Sequence, residues 1–138
     1  MMEEGELLDA LHKEKFYCSY VFYRDKTQKE TILKNPAFLS AAMHPSGENC
    51  FCITNAGTDK GTGIRRLAEH WDIPFEAILA VGNEENDVPM FKAAGISVAV
   101  ENATPEALSA AEWIVPDVRH AGAAEAIRRF ALQGYMTE

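Results

Sequence analysis

The sequence has 138 residues, of which 47% are hydrophobic and 25% are charged, and its formal net charge is −8. This length and composition are typical of one soluble globular core with room for a small appendage, and they exclude a wholly disordered chain. The acidic balance opposes non-specific binding to nucleic acid or to an anionic membrane surface, so neither is expected as a partner.

Targeting signals and membrane segments are not visible in the sequence. No segment reaches the ~20 consecutive apolar residues of a membrane-spanning helix, and the N-terminal sequence MMEEGELLDALHKE is charged from its start, unlike a secretory signal. Cys18, Cys50 and Cys52 show no C-x-x-C spacing, which favours reduced thiols over a disulfide framework or a zinc site. We therefore expect a cytoplasmic protein.

Residues 1–56 mix helical and strand patterns. Leucines at helical spacing begin this part of the chain, and two runs rich in aromatic and β-branched residues have the composition of strands. In chain order, the predicted elements are a helix over 4–14, a strand over 16–23, a short helix over 30–42 interrupted by Pro36, a turn over 44–47 and a strand over 49–54.

From residue 57 onward, helical and strand patterns alternate regularly. Ile64, Leu67, Ala68 and Trp71 share one face of a helix, so we expect these side chains, like Trp113 further on, to lie in the core. The predicted elements are a helix over 61–71, a strand over 77–81, a short helix ending before a left-handed Gly95, a strand over 96–100, a helix capped by Thr104, a strand over 112–115 and a helix over 121–132. Apolar strands separated by helices predict a parallel sheet with helices on both faces.

A polar loop, GNEEND at residues 82–87, directly follows the first apolar strand of this part. Ligands of parallel α/β sheets bind beyond the carboxyl ends of the strands. Carboxylate and amide oxygens are the ligands that Mg²⁺ prefers, so the loop is a candidate magnesium site. The same residues also fit a solvated acidic turn in which Asn86 or Asp87 caps the next helix.

Lys60 begins the helix predicted after residue 57, where the helix dipole disfavours a positive charge. Its position is explained if the ammonium and the helix N terminus both face an anion such as phosphate. The alternative is an exposed lysine that follows a capping Asp59.

The chemistry-bearing segments occur in a fixed order: DKG at 59–61, AILAV at 77–81, GNEENDVPMF at 82–91, AG at 94–95, ISVAV at 96–100, ENATP at 101–105, AEWIV at 111–115 and Gly122 before the last helix. This series, covering residues 57–132, resembles the C-terminal portion of Cof-type phosphatases of the haloacid dehalogenase (HAD) superfamily. The resemblance implies an α/β fold, an incomplete doubly wound parallel sheet. Residues 57–138 would be the C-terminal half of the core, and residues 1–56 an α+β remnant of the cap domain or a segment covering the sheet edge.

The resemblance also implies a magnesium-dependent phosphomonoesterase, a hydrolase in which an N-terminal D-x-D aspartate attacks phosphate. It assigns Lys60 as a catalytic and phosphate-binding residue and Asn86 as a second phosphate-binding residue. Asn83 and Asp87 would hold the metal, with Glu84 adjacent to them. Because Asn83 stands where the family has an aspartate, a negative charge is missing and weaker magnesium binding is expected, which Glu84 would offset in part.

No D-x-D motif occurs in the sequence. Covalent catalysis needs the nucleophile, the metal and the positively charged groups that stabilise the phosphoryl oxygens. The chain alone is therefore expected not to hydrolyse phosphate esters. One hypothesis is a truncated HAD phosphatase or a subunit that acts on a phosphorylated small molecule once a complementary chain supplies the missing half. The other is a non-catalytic HAD-like binding or interaction module. An open sheet edge also predicts a homo-oligomer, unless residues 1–56 cover that edge.

Overall fold

The computed structural model describes residues 18–38 and 41–132. The chain divides into two compact units between Ala56 and Gly57, and each unit is described by itself. The helix predicted over 4–14 lies outside the described residues. Among the helices that are described, none is long and apolar enough to cross a membrane.

The first unit is an antiparallel sheet with one helix. Its elements are β1 (Ser19–Phe22), α1 (Lys26–Leu33), a 3₁₀ turn (Pro36–Phe38), β2 (Ala41–Pro45) and β3 (Cys50–Asn55), and the strand order is β1-β3-β2. Asp25 caps α1, because its carboxylate accepts the Gln28 N–H at 2.8 Å. The Lys29 ammonium lies 5.6 and 5.7 Å from the ring centroids of Tyr23 and Phe51, so α1 packs on the sheet face that contains Phe51.

The strands predicted for this unit are confirmed in their described parts as β1 and β3, but the helix predicted over 30–42 has the wrong bounds. Helix α1 ends at Leu33, and residues 41–45 form β2. Alanine and methionine favour helices, but antiparallel pairing with β3 outweighs that local preference. The turn predicted over 44–47 consequently begins later, and it includes the left-handed Gly47 (φ 70°).

The second unit is a parallel sheet flanked by helices. Its elements are α2 (Lys60–Trp71), β4 (Leu79–Gly82), α3 (Val88–Phe91), β5 (Ile96–Val100), α4 (Pro105–Ala110), β6 (Trp113–Val115) and α5 (Gly122–Ala126), which a π-helical turn (Ile127–Ala131) continues. The strand order is β4-β5-β6, and both pairs are parallel. The predicted parallel sheet is therefore confirmed.

Two buried apolar clusters lie on opposite faces of this parallel sheet, because successive strand residues point to opposite faces. The clusters consist of Ala80, Phe91, Ala99 and Ala107, and of Val98, Val100, Val115 and Ala126. The first includes side chains from α3 and α4, and the second includes one from α5. Helices therefore cover both faces, as the alternating sequence pattern predicts.

The apolar stripe of α2 is less buried than the sequence predicts. Ala68 is buried, but Leu67 is 50% exposed and Trp71 is 62% exposed. Helix α2 packs mainly against α3, so much of its stripe has no cover from the sheet. The core position predicted for Trp113 is also wrong. Its side chain is 38% exposed on β6, and its ring centroid lies 4.8 Å from the guanidinium carbon of Arg129.

Gly95 is explained by close packing, and the left-handed backbone predicted for it is wrong. A Cβ at this position would lie 2.4 Å from the Cα of Glu76. The described glycines with positive φ are Gly47 and Gly57. A left-handed residue does end a helix at Asp72 (φ 53°), directly after α2.

Candidate functional site

The structure brings Lys60 into contact with the loop at residues 82–87. Lys60 Nζ donates to Asn86 Oδ1 at 3.2 Å and forms a short ion pair with Asp87 Oδ1, although 26 and 27 positions separate these residues along the chain. Helix α2 leads away from this end of the sheet and β4 returns to it. The contact therefore lies at the carboxyl end of β4.

The start of α2 is fixed by a cap and by a close approach. The Asp59 carboxylate accepts the Thr62 N–H at 2.6 Å, so Lys60 is the first helical residue. Gly61 is buried, and a Cβ there would lie 2.2 Å from the carbonyl oxygen of Pro89. The absence of a side chain at Gly61 lets the helix N terminus approach the segment that follows the loop.

Asp87 organises the loop through both of its carboxylate oxygens. Its Oδ2 accepts the N–H groups of Asn83 and Glu84 at 2.7 and 3.0 Å, while its Oδ1 accepts from Lys60. The Glu84 side chain accepts the Asp87 N–H in return, which completes a capping box. Gly82 is required here, because a Cβ would lie 2.5 Å from Asp87 Oδ2.

The Asp87 carboxyl is more acidic than an ordinary aspartate. Burial raises its pKa, but the hydrogen bond from the Lys60 ammonium and those from the backbone N–H groups of Asn83 and Glu84 together outweigh burial, so the net pKa is lowered. The side chain is therefore an ionised acceptor at neutral pH, and each of its oxygens already has a donor.

The loop that follows β5 is hydrogen-bonded to the loop at residues 82–87, which follows β4. The Thr104 N–H donates to the Asn83 carbonyl oxygen at 2.9 Å, while Thr104 Oγ1 accepts the Ala107 N–H and caps α4. The segments that follow β4 and β5 are thus joined. The Thr104 cap was predictable from its local sequence, but its bond to Asn83 was not, because no local pattern encodes a backbone bond between distant segments.

The oxygen donors of the loop fit a hard cation only in part. Asn83 is exposed and Glu84 is half-buried, and amide and carboxylate oxygens are suitable ligands for Mg²⁺, which keeps several waters. However, the part of the chain that the structure describes contains no group of three or more His, Cys, Asp or Glu side chains arranged to hold a metal. The donor chemistry fits magnesium, while the number of donors falls short of a full coordination shell.

Family comparison agrees with this architecture. The sequence matches the profile of haloacid dehalogenase-like hydrolases over residues 3–127. The chain belongs to this family. The match reaches beyond residues 57–132, where the sequence motifs lie, into the first unit.

Similar proteins include named phosphatases. The chain is 38% identical over 78 residues to a phosphoglycolate phosphatase of Methanothermobacter thermautotrophicus, covering 56% of this chain and 35% of that protein. It is 35% identical over 123 residues to a phosphoglycolate phosphatase of Nitrosopumilus maritimus, covering 81% of this chain and 52% of that protein. A solved haloacid dehalogenase-like hydrolase from B. subtilis matches with a TM-score of 0.81 and 29% identity, over 92% of this chain and 45% of that one. The predicted HAD-like fold is confirmed, and the chain spans about half or less of these relatives' lengths.

Proposed function

We propose that this chain is part of a magnesium-dependent phosphomonoesterase, and that Lys60 and the loop at 82–87 form its phosphate- and metal-binding end. The observation that carries the proposal is the contact of Lys60 with Asn86 and Asp87 at the carboxyl end of β4, the edge at which parallel α/β sheets bind ligands. The names of the similar phosphoglycolate phosphatases support a small phosphorylated molecule as substrate. The free cysteines support a cytoplasmic location.

Lys60 and Asn86 would bind the phosphoryl group. The Lys60 side chain is 48% exposed, so its ammonium can contact an incoming anion while staying beside Asp87. Asn86 Oδ1 already accepts from Lys60, which leaves the amide NH₂ of Asn86 to donate to a phosphoryl oxygen. Lys60 is the catalytic residue of this assignment, because it would stabilise the charge of the reacting phosphoryl group.

Asn83, Glu84 and Asp87 would hold the magnesium ion, which supplies positive charge against the phosphate oxygens when bound. Asp87 also fixes the loop backbone and Lys60, so it has a structural role whether or not metal is present. The loop carries three carboxylates, with Glu85 as the third, against one ammonium. A phosphate therefore binds here more tightly with the cation than without it, and the amide at Asn83 weakens the cation site.

We further propose that the chain by itself does not hydrolyse phosphate esters, because the sequence contains no D-x-D nucleophile. The test is hydrolysis of p-nitrophenyl phosphate by the purified chain with and without magnesium, and we expect background rates in both. Magnesium-dependent turnover that is lost in Lys60→Ala but kept in Lys92→Ala would overturn this proposal. Lys92 is the matched control because it is an exposed lysine in the same unit.

A complementary chain or a second copy would complete the assembly at β4 and α2. Among the described residues, β4 pairs with a strand on one side only. Leu67 and Trp71 of α2 are largely exposed. An apolar strand that pairs with β4 and covers this stripe would extend the sheet and remove the exposed edge. Light scattering should show a mass above that of the monomer, or a monomer that binds the complementary part of a HAD phosphatase. A chain that stays monomeric and does not bind the complementary part would count against both partners.

A non-catalytic binding module is the second candidate. The amide at Asn83 and the lack of a D-x-D motif favour it, whereas the Lys60–Asp87 contact favours the enzyme part. The two candidates differ in one measurement: titration with magnesium and inorganic phosphate. Binding at the loop supports the enzyme part, and a loop that binds neither supports the non-catalytic module.

A further inference from the structure

Two thiols and a phenol meet on one face of the first unit's sheet. Tyr20 lies directly opposite Cys52 in the β1–β3 pair, and continuing that register by one residue puts Cys18, which directly precedes β1, diagonal to Cys52. The neighbouring thiols of Cys52 and Cys18 raise the pKa of the Tyr20 hydroxyl, Cys52 more than Cys18. Phe51, the neighbour of Cys52, points to the opposite face, where α1 packs. The cluster therefore lies on the face away from α1.

The three cysteines of this unit differ in accessibility. Cys18 is exposed, Cys52 is partly buried and Cys50 is buried. Burial raises the pKa of the Cys52 thiol, and the adjacent Cys18 raises it further, so Cys52 is a protonated thiol at neutral pH. A thiol-reactive compound in solution consequently meets Cys18 first, with Cys52 next to it.

We propose that Cys18 and Cys52 form a reversible disulfide that links the start of β1 to the central strand β3. Diagonal neighbours in a regular antiparallel pair have Cα atoms about 7–8 Å apart, whereas a relaxed disulfide needs about 4.4–6.8 Å. Cys18 precedes β1, which begins at Ser19, so it can move towards Cys52 without breaking the β1–β3 ladder. The residual strain makes the disulfide easily reducible, as expected of a switch rather than a permanent structural bond.

The chemistry is thiol–disulfide exchange with a low-molecular-weight disulfide, RSSR. The Cys18 thiolate attacks RSSR, forms a mixed disulfide and displaces one RS⁻. The Cys52 thiolate then attacks the Cys18 sulfur of that mixed disulfide and displaces the second RS⁻. The two protons lost by the cysteines protonate the two RS⁻ groups, so the protein loses two electrons and RSSR becomes two RSH.

The test is incubation of the full chain with oxidised glutathione, followed by alkylation and non-reducing peptide mapping. We expect a Cys18–Cys52 crosslink with Cys50 alkylated only after unfolding, and complete reversal by reduced glutathione. Cys52→Ser should stop at a glutathione adduct on Cys18, and Cys18→Ser should give neither adduct nor crosslink. Cys50→Ala is the matched control and should keep the crosslink.

Several results would overturn the proposal: a Cys18–Cys50 crosslink, a crosslink between chains, or a stable glutathione adduct on Cys18 in the unmodified sequence. Amide exchange gives an independent readout that does not depend on the variants folding. The crosslink closes a loop that contains α1 and β2, so exchange in β3 should slow at least several-fold on oxidation. Unchanged exchange in a fully crosslinked chain would show that the bond does not constrain this unit.

Discussion

Removing the Asp87 side chain should destabilise the second unit far more than removing the Lys60 ammonium. Asp87 is 3% exposed, and truncation leaves the N–H groups of Asn83 and Glu84 without their acceptor. Hydrogen bonds to a charged acceptor contribute ~1.5–3 kcal/mol each, so the loss of these two bonds in Asp87→Ala should cost about 3 kcal/mol. The Lys60 side chain is 48% exposed, and Lys60→Met leaves Asp87 its two backbone donors. Because water screens the half-exposed ammonium, its ion pair contributes ~1 kcal/mol or less, and Lys60→Met should cost about that much.

Tryptophan fluorescence isolates this unit, because the two tryptophans of the sequence, Trp71 and Trp113, both lie after residue 57. The fluorescence of these tryptophans, measured as a function of urea concentration, gives the free energy of unfolding of each variant. Glu85→Ala is the control: it removes a neighbouring exposed carboxylate and should change that free energy by ~0.5 kcal/mol or less. Equal losses for Asp87→Ala and Lys60→Met would contradict the reasoning, because the ion pair rather than the backbone bonds would then stabilise the loop.

Three further predictions use the same assay. The lowered pKa of Asp87 stabilises the fold above the ordinary aspartate value of about 4, and this contribution is lost as pH falls through the lower folded value, so Asp87→Asn should flatten the acid-side decline in stability; an unchanged decline would contradict this. Gly61→Ala should cost ~1–3 kcal/mol by collision with Pro89, whereas Gly63→Ala in the same helix, with open space around it, should gain ~0.5–1 kcal/mol; equal effects would refute the close approach. Asp72→Gly should gain ~0.5 kcal/mol by relieving a left-handed backbone, and a loss would show that the aspartate side chain stabilises that turn.

The order of elements in the second unit was predictable because their local signals agree with the tertiary fold. Thr104 caps a helix that Pro105 begins, and the apolar run at 96–100 forms β5 with the predicted bounds. In residues 41–45, by contrast, side chains that favour a helix form a strand because β3 supplies the pairing partner. Local propensity contains no information about such a partner.

Part of the candidate site was also predictable. The resemblance places Lys60 and the polar loop at one edge, and parallel βαβ connectivity explains why they meet. The use of both Asp87 oxygens was not predictable, because it depends on a turn that Gly82 makes possible and on a helix N terminus distant in sequence. The exposure of Trp71 was missed because helical periodicity shows which side chains share a face but not what that face contacts.

The central claim is that Lys60 and the loop at 82–87 bind phosphate together with magnesium. The most direct measurement is an amide NMR titration of the full chain with magnesium chloride and inorganic phosphate, singly and together. We expect the largest shifts at residues 82–87 and at the start of α2, tighter binding of each ion in the presence of the other, and loss of the phosphate response in Lys60→Met but not in Lys92→Met. Shifts confined to other surfaces, or a phosphate response that Lys60→Met leaves intact, would contradict the account.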